Sequence, residues 1–272
     1  MCPNCRAFIE ITDRICPYCN AQLGPRAVDL RASQLAASLL PRANLTSSII
    51  LTINVAFFLL ELVVNSQVAG QSLFSGFADI GMNTIVLLGC KIPHSEWWRL
   101  LTAGFLHAGF IHLAMNSYGL FILVSEVEQF YGTSRLIVAY LFSIFAGFFL
   151  SALWSPGTAS LGASTAVFGM IGIMLAMGVR RRSDPLVQAV RAHYTQYVIF
   201  GLIFSLLGRI DMAAHIGGFI GGFVVGGVAG LPGLPNSPRE QFWRVLAGLA
   251  ILITLYAFFL DYLSYRILLR QL

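Results

Sequence analysis

Apolar residues run along this chain in long, nearly unbroken blocks, and the charges collect in the short segments between them. Seven blocks approach or reach spanning length: 49–64, 100–124, 136–153, 161–179, 194–207, 212–228 and 242–260. A bilayer core about 30 Å thick takes about 20 apolar residues in a helix. A backbone in lipid must satisfy its own hydrogen bonds, so runs of this kind are predicted as helices. The pattern therefore predicts an all-α membrane protein. Block 136–153 is uniformly apolar and rich in Phe, as a wall would be, and block 194–207 is short. Between the first two blocks, 65–98 is too polar and glycine-rich to span. It ends Ser95-Glu96-Trp97-Trp98-Arg99, where aromatics beside charges suit the headgroup layer. Residues 231–238, with three prolines, read as a loop.

The first 45 residues depart from this pattern. Cys2-Pro3-Asn4-Cys5 and Cys16-Pro17-Tyr18-Cys19 are two Cys-x-x-Cys knuckles with ten residues between them. Four thiolates so spaced suit a tetrahedral zinc ion. Residues 1–22 are therefore expected to form a small zinc-ribbon-like module, with structural zinc held by Cys2, Cys5, Cys16 and Cys19. The segment has too few apolar residues to fold on a core of its own. Two disulfides are the alternative, and they need an oxidising compartment. Residues 23–45 read as a linker. After Gly24-Pro25, Leu30, Leu35, Leu39 and Leu40 recur opposite Arg26, Arg31 and Gln34, which predicts either a helix on the membrane surface or a solvated connecting helix.

Composition sharpens the class. With 57% hydrophobic and 11% charged residues, a soluble domain is excluded. The net charge of +5 comes from basic residues scattered among loops, without the basic face that nucleic acid requires. Those residues serve better as topology signals. With the N-terminus inside, twelve basic residues fall in inner segments, Arg180-Arg181-Arg182 among them, and five in outer ones. The N-terminus is thus expected in the cytosol. Its polar, cysteine-bearing start gives no expectation of a cleaved signal. Together with the ribbon, this points to a bacterial cytoplasmic membrane.

Polar residues inside apolar spans are costly and generally face the bundle interior. Ser164 opens block 161–179 among small neighbours, Gly162-Ala163 before it and Thr165-Ala166 after it. In the first turn of a helix its hydroxyl would lie among unpaired N–H groups that favour a developing anion. His112 and Asn116 lie four apart, on one face of a helix. His215 precedes Gly218, Gly222, Gly226 and Gly230, a ridge at four-residue spacing that lets another helix approach backbone to backbone. If that helix is the one bearing Ser164, His215 meets the hydroxyl. These residues are enough for a nucleophile, a base and two oxyanion donors, Asn116 and His112. Phe168, one turn beyond Ser164, is a candidate to stack on His215. Asp211, one turn before His215, could orient the ring. Each also has a plainer reading as packing or interhelical glue. His107, five residues before His112, is expected to tie loop to span.

Gly162-x-Ser164, Ala214-His215 with Gly218 and Gly222, His112-x-x-x-Asn116, Trp98-Arg99 and Glu128-x-x-x-Gly132 together resemble the rhomboid family of intramembrane serine proteases. The resemblance covers roughly 46–230, with Thr165 standing where the family often has Gly. It implies a helical bundle of six core spans, with 231–272 supplying a loop and a seventh. It implies a Ser164–His215 dyad needing no cofactor for catalysis, and single-span membrane proteins as substrates. Trp98 and Arg99 would brace the site from a partly immersed loop, and Glu128 would brace helices. A catalytically silent relative that binds or escorts spanning helices is the alternative, though such relatives usually lose the Ser or the His.

Overall fold

The computed structural model describes residues 2, 4–9, 15–22, 45–70, 72–91, 96–180, 185–207, 210–234 and 236–269. The expected surface helix of the linker and the arginines at 181 and 182 lie outside these residues. The chain divides into two units, Met1–Pro41 and Arg42–Leu272.

The small unit is built from two matching turns. Cys2 N–H donates to the Ala7 carbonyl and Arg6 N–H to that of Cys2; Cys16 N–H donates to Ala21 and Asn20 N–H to Cys16, all at 2.9 Å. Arg6 and Asn20 both take positive φ, 58° and 50°, so each knuckle turns back in the same way. An antiparallel bridge, Ile15 to Gln22, closes the second.

Among the described residues the regular elements of the large unit are helices, with one antiparallel bridge between Lys91 and Ser160. In order the helices are α1 (Leu45–Ala69), α2 (Leu73–Ala78), α3 (Met82–Leu87), α4 (Arg99–Thr102), α5 (Phe110–Trp154), α6 (Ser164–Arg180), α7 (Pro185–Leu207), α8 (Met212–Ala229) and α9 (Pro238–Leu269). Among the described residues, four stretches are long and apolar enough to cross a membrane: Leu45–Val68, Phe110–Trp154, Met212–Ala229 and Pro238–Ile267; Ser164–Val179 is a shorter apolar helix. At 45 residues α5 is far longer than one crossing needs. It breaks at Gly132, whose φ of 76° and ψ of 161° are not helical, and so supplies two arms.

The second span departs from expectation. Block 100–124 is not one helix: α4 passes into a 3-10 turn, Ala103–Phe105, the chain extends at Leu106, and the long helix starts only at Phe110. Glycines 104 and 109 sit in this stretch; a side chain on Gly104 would strike Ile144, and one on Gly109 the Ala78 carbonyl. Apolarity measured burial there, not helicity. The short block 194–207 belongs to a longer helix, α7, of 23 residues.

Helices α6, α8 and the second arm of α5 pack most closely. Gly218 and Gly222 lie against the carbonyls of Thr165 and Gly169 on α6, and Gly217 against the Ala146 carbonyl on α5. Buried Leu, Ile, Val, Met and Phe side chains fill the surrounding core, with Tyr131 donating its hydroxyl to the Ile173 carbonyl at 3.0 Å.

Candidate active site and metal centre

Ser164 is the first residue of α6, so the N–H groups of its turn have no partner within the helix. Gly162, two residues earlier, holds φ at 124°, a conformation that side-chain-bearing residues rarely adopt. Its N–H donates to the Ala103 carbonyl at 2.9 Å, which fixes the approach to the serine. His215 sits in the first turn of α8 and is 5% exposed. The close α6–α8 packing brings His215 Nε2 to 2.8 Å from Ser164 Oγ. Phe168, one turn along α6, stacks on the imidazole with centroids 4.2 Å apart and planes 18° apart. Gly201 of α7 leaves room for the Phe168 ring, since a methyl there would stand 2.6 Å from it.

The first arm of α5 faces this pair. The space where a Gly162 side chain would stand is 2.7 Å from His112 Nε2 and 3.5 Å from Asn116 Nδ2. His112 Nδ1 accepts the Ala108 N–H at 3.3 Å, so the neutral ring carries its proton on Nε2, toward Gly162. Asn116 is 7% exposed, and its Nδ2 is buried without a hydrogen-bond partner. Two side-chain donors therefore converge beside the N-terminus of α6. Ser164, His215, His112, Asn116, Met115 and Phe168 are among the residues lining a cavity of about 620 Å³.

The remaining predicted residues stand around this centre. Asp211 caps α8: one carboxylate oxygen accepts the Ala214 N–H at 3.0 Å, the other the Ser151 hydroxyl. His107 lies before α5 begins; its ring is 5.3 Å from that of His112, and its backbone N–H donates to a Glu61 carboxyl oxygen on α1 at 2.8 Å. Trp98 and Arg99 are not in the cavity lining. Arg99 is 3% exposed, donates to the Val86 carbonyl at 2.6 Å and pairs with Glu96, so it holds the preceding loop. Glu128 receives hydroxyls from Thr46 at 2.5 Å and Thr133 at 2.6 Å, bridging α1 and the turn after Gly132. Gly218 and Gly222 are the contact points of the ridge.

Sequence reading missed Lys91, counted only as a topology charge. It is 1% exposed, and its ammonium donates to the carbonyls of Ser155 at 2.9 Å and Thr158 at 2.7 Å. Its backbone pairs with Ser160 in both directions, so it pins the segment that leads to Ser164. Burial pulls its amine below the ordinary value. The available signal was that Lys91 is the chain's one lysine among sixteen arginines.

In the small unit, Cys2, Cys5, Cys16 and Cys19 place their sulfurs within 4.8 Å of one another. Cys2 Sγ is 3.7 Å from that of Cys19, and Cys5 Sγ 3.6 Å from that of Cys16. A tetrahedron with Zn–S bonds of about 2.3 Å has S–S edges of about 3.8 Å, whereas a disulfide would need about 2 Å. The Ala21 N–H and the Asn4 amide hold the Cys19 thiol down to about 6, and the Cys5 N–H lowers that of Cys2, whereas at Cys5 the Ala7 N–H is outweighed by burial and the neighbouring sulfurs, which raise that thiol to about 12. The donor set fits zinc.

The rhomboid domain family matches residues 94–231. Rhomboid protease GluP of Bacillus subtilis (strain 168) is 36% identical over 184 residues, covering 66% of this chain and 35% of that protein. A second protein of that organism, YdcA, is 31% identical over 149 residues, covering 53% of this chain and 72% of its own length. RHOMBOID-like protein 6, mitochondrial, of Arabidopsis thaliana is 37% identical over 152 residues, 56% of this chain and 49% of that protein. The chain thus spans about a third of GluP and about half of the Arabidopsis relative.

Proposed function

The chain belongs to the rhomboid family, and from that premise we propose that it is an intramembrane serine endopeptidase that cleaves spanning helices of single-pass membrane proteins through a Ser164–His215 dyad. The observation that carries this reading is the 2.8 Å contact between Ser164 Oγ and His215 Nε2 at the wall of a cavity large enough for an unwound peptide segment.

A helical peptide bond is shielded and hydrogen-bonded, so the substrate must unwind locally before attack, and helix-weakening residues near the bond favour it. Neutral His215 accepts the Ser164 proton as the hydroxyl adds to the carbonyl. Phe168 beneath the imidazole keeps Nε2 aimed at the hydroxyl. The oxyanion is received by His112 Nε2–H, Asn116 Nδ2–H and the Ser164 N–H, three donors set before the charge appears. His215 then gives its proton to the leaving amine, and water hydrolyses the acyl-enzyme. With both Ser164 and His215 in place, a silent helix-binding role has less support.

Around this centre we place six core spans: α1, the two arms of α5, α6, α7 and α8. Helix α9 is the seventh. The N-terminus lies in the cytosol of a bacterium, with the cavity open to the outer side. Cys2, Cys5, Cys16 and Cys19 would hold a zinc ion whose role is to fold the small unit, and the described residues that line the cavity belong to the large unit.

The test is covalent: a fluorophosphonate added to detergent-solubilised protein should modify one residue, Ser164, and His215→Ala should slow the reaction by about 10³-fold or more. A protein labelled at another residue is not this enzyme.

A further inference from the structure

Among the described residues, α9 is the least covered of the four long apolar helices. Yet it carries a buried carboxylate, Asp261, 7% exposed, whose Oδ1 has no hydrogen-bond partner. A carboxylate in an apolar span costs stability unless it does something else. Asp261 sits on Gly89: its oxygens stand 2.5 Å from where a side chain on that residue would be, and Gly89 has φ of 94°, which other residues avoid. The Gly89 carbonyl accepts the Thr102 hydroxyl at 2.9 Å, and Arg99 donates to the carbonyls on either side, Val86 and Cys90. Nearby on α9, Phe258 stacks on Phe57 at 4.7 Å and meets Phe105 edge-on at 5.3 Å, and Tyr256 lies 6.4 Å from Trp97. Thus α9 meets Gly89, Trp97 and Phe105 together.

That stretch carries both backbone connections to the serine segment described above. Ala103 accepts the Gly162 N–H, and Lys91 pairs with Ser160 at 2.9 and 3.0 Å. The path from α9 to the nucleophile therefore runs from Asp261, packed over Gly89, through the 2.9 Å bond from the Thr102 hydroxyl to the Gly89 carbonyl, along the Thr102–Ala103 turn, and through the 2.9 Å bond from the Gly162 N–H to Ala103, two residues before Ser164.

We propose that α9 is a positioning element for Ser164 and that Asp261 is a positioning residue, acting on the nucleophile through Gly89 and the Thr102–Ala103 turn. This rests on the protease reading. Small displacements of a reacting group lower turnover more than they lower binding, so the loss should fall on kcat.

The experiment compares full-length wild type, Asp261→Ala and Asp261→Asn in detergent with a labelled spanning-helix substrate. Asp261→Ala should lower kcat about ten- to hundredfold, with KM changed less than about twofold and a melting temperature within about 3 °C of wild type. Asp261→Asn, which keeps the shape, should recover most of kcat. Cys90, 0% exposed and adjacent to Gly89, gives a readout independent of catalysis: maleimide modification resolved by mass spectrometry should be faster in Asp261→Ala. Unchanged kcat with Cys90 still protected overturns the proposal, as does activity lost only in proportion to unfolded protein. Wild type without Ser164-dependent turnover overturns the protease reading and the kinetic half of the proposal, while Cys90 protection still decides whether Asp261 holds Gly89.

Discussion

Gly218 of α8 lies so close to the Thr165 carbonyl of α6 that a methyl group has no room between them. The contact is one turn from His215 and next to Ser164, so the spacing of the two backbones sets the spacing of hydroxyl and imidazole. Gly222 against the Gly169 carbonyl repeats the contact one turn further along. An ordinary helix pair lies 8–10 Å apart, and the glycine ridge is what permits a closer approach.

Gly218→Val should therefore push α8 away from α6 and separate the pair. Overpacking of this kind costs about 1–3 kcal/mol of stability, and a separation of about 1 Å should cost about 10²-fold in kcat. Melting temperature and kcat on one preparation test this. A folded Gly218→Val variant with wild-type kcat would show that the ridge does not set the site's geometry.

Asn116 Nδ2 is buried with no partner, which is costly unless an oxygen arrives there during the reaction. Asn116→Ala should lower kcat by about 10²–10³-fold, or about 3–4 kcal/mol. KM should barely move, and stability should hold or rise because no bond is lost. Single-turnover rates and thermal unfolding separate the outcomes: a destabilised variant with unchanged rate would assign Asn116 to the bundle.

The four N-terminal cysteines should bind one zinc ion per chain, measurable by elemental analysis of the purified protein, and Cys16→Ser should lose it. Among the described residues, those lining the cavity all come from the large unit, so protein lacking residues 1–45 should keep its turnover to within about threefold. Metal-free protein with Cys2–Cys19 or Cys5–Cys16 oxidised would reject both the zinc site and its cytosolic placement.

What the sequence disclosed was local. Ser164 at a helix start, His112 and Asn116 four apart, and glycines at four-residue spacing after His215 are patterns that one helix displays by itself. They foretold which side chains would meet, because a small-residue ridge implies a close neighbour. The clustering of Cys2, Cys5, Cys16 and Cys19 was readable for the same reason. What stayed hidden depends on partners far along the chain: Arg135 bonds both oxygens of Glu240 at 2.6 Å, 105 residues away, and Asp261 covers Gly89. The start of the second span was misplaced because residues 100–106 are apolar yet fold as a short helix and 3-10 turn, buried by Ile144 and its neighbours. Hydropathy reports what is buried and leaves the path of the backbone open.

The central claim is that Ser164 does the chemistry. Its most direct test is cleavage of a labelled spanning-helix substrate by wild type and Ser164→Ala at equal folded concentration. The account predicts wild-type scission within or beside the substrate's apolar segment. It predicts no cleavage by a Ser164→Ala protein of unchanged melting temperature, a loss of about 10⁴-fold or more, bounded by assay background. Cleavage by that variant at more than a few per cent of the wild-type rate would contradict it.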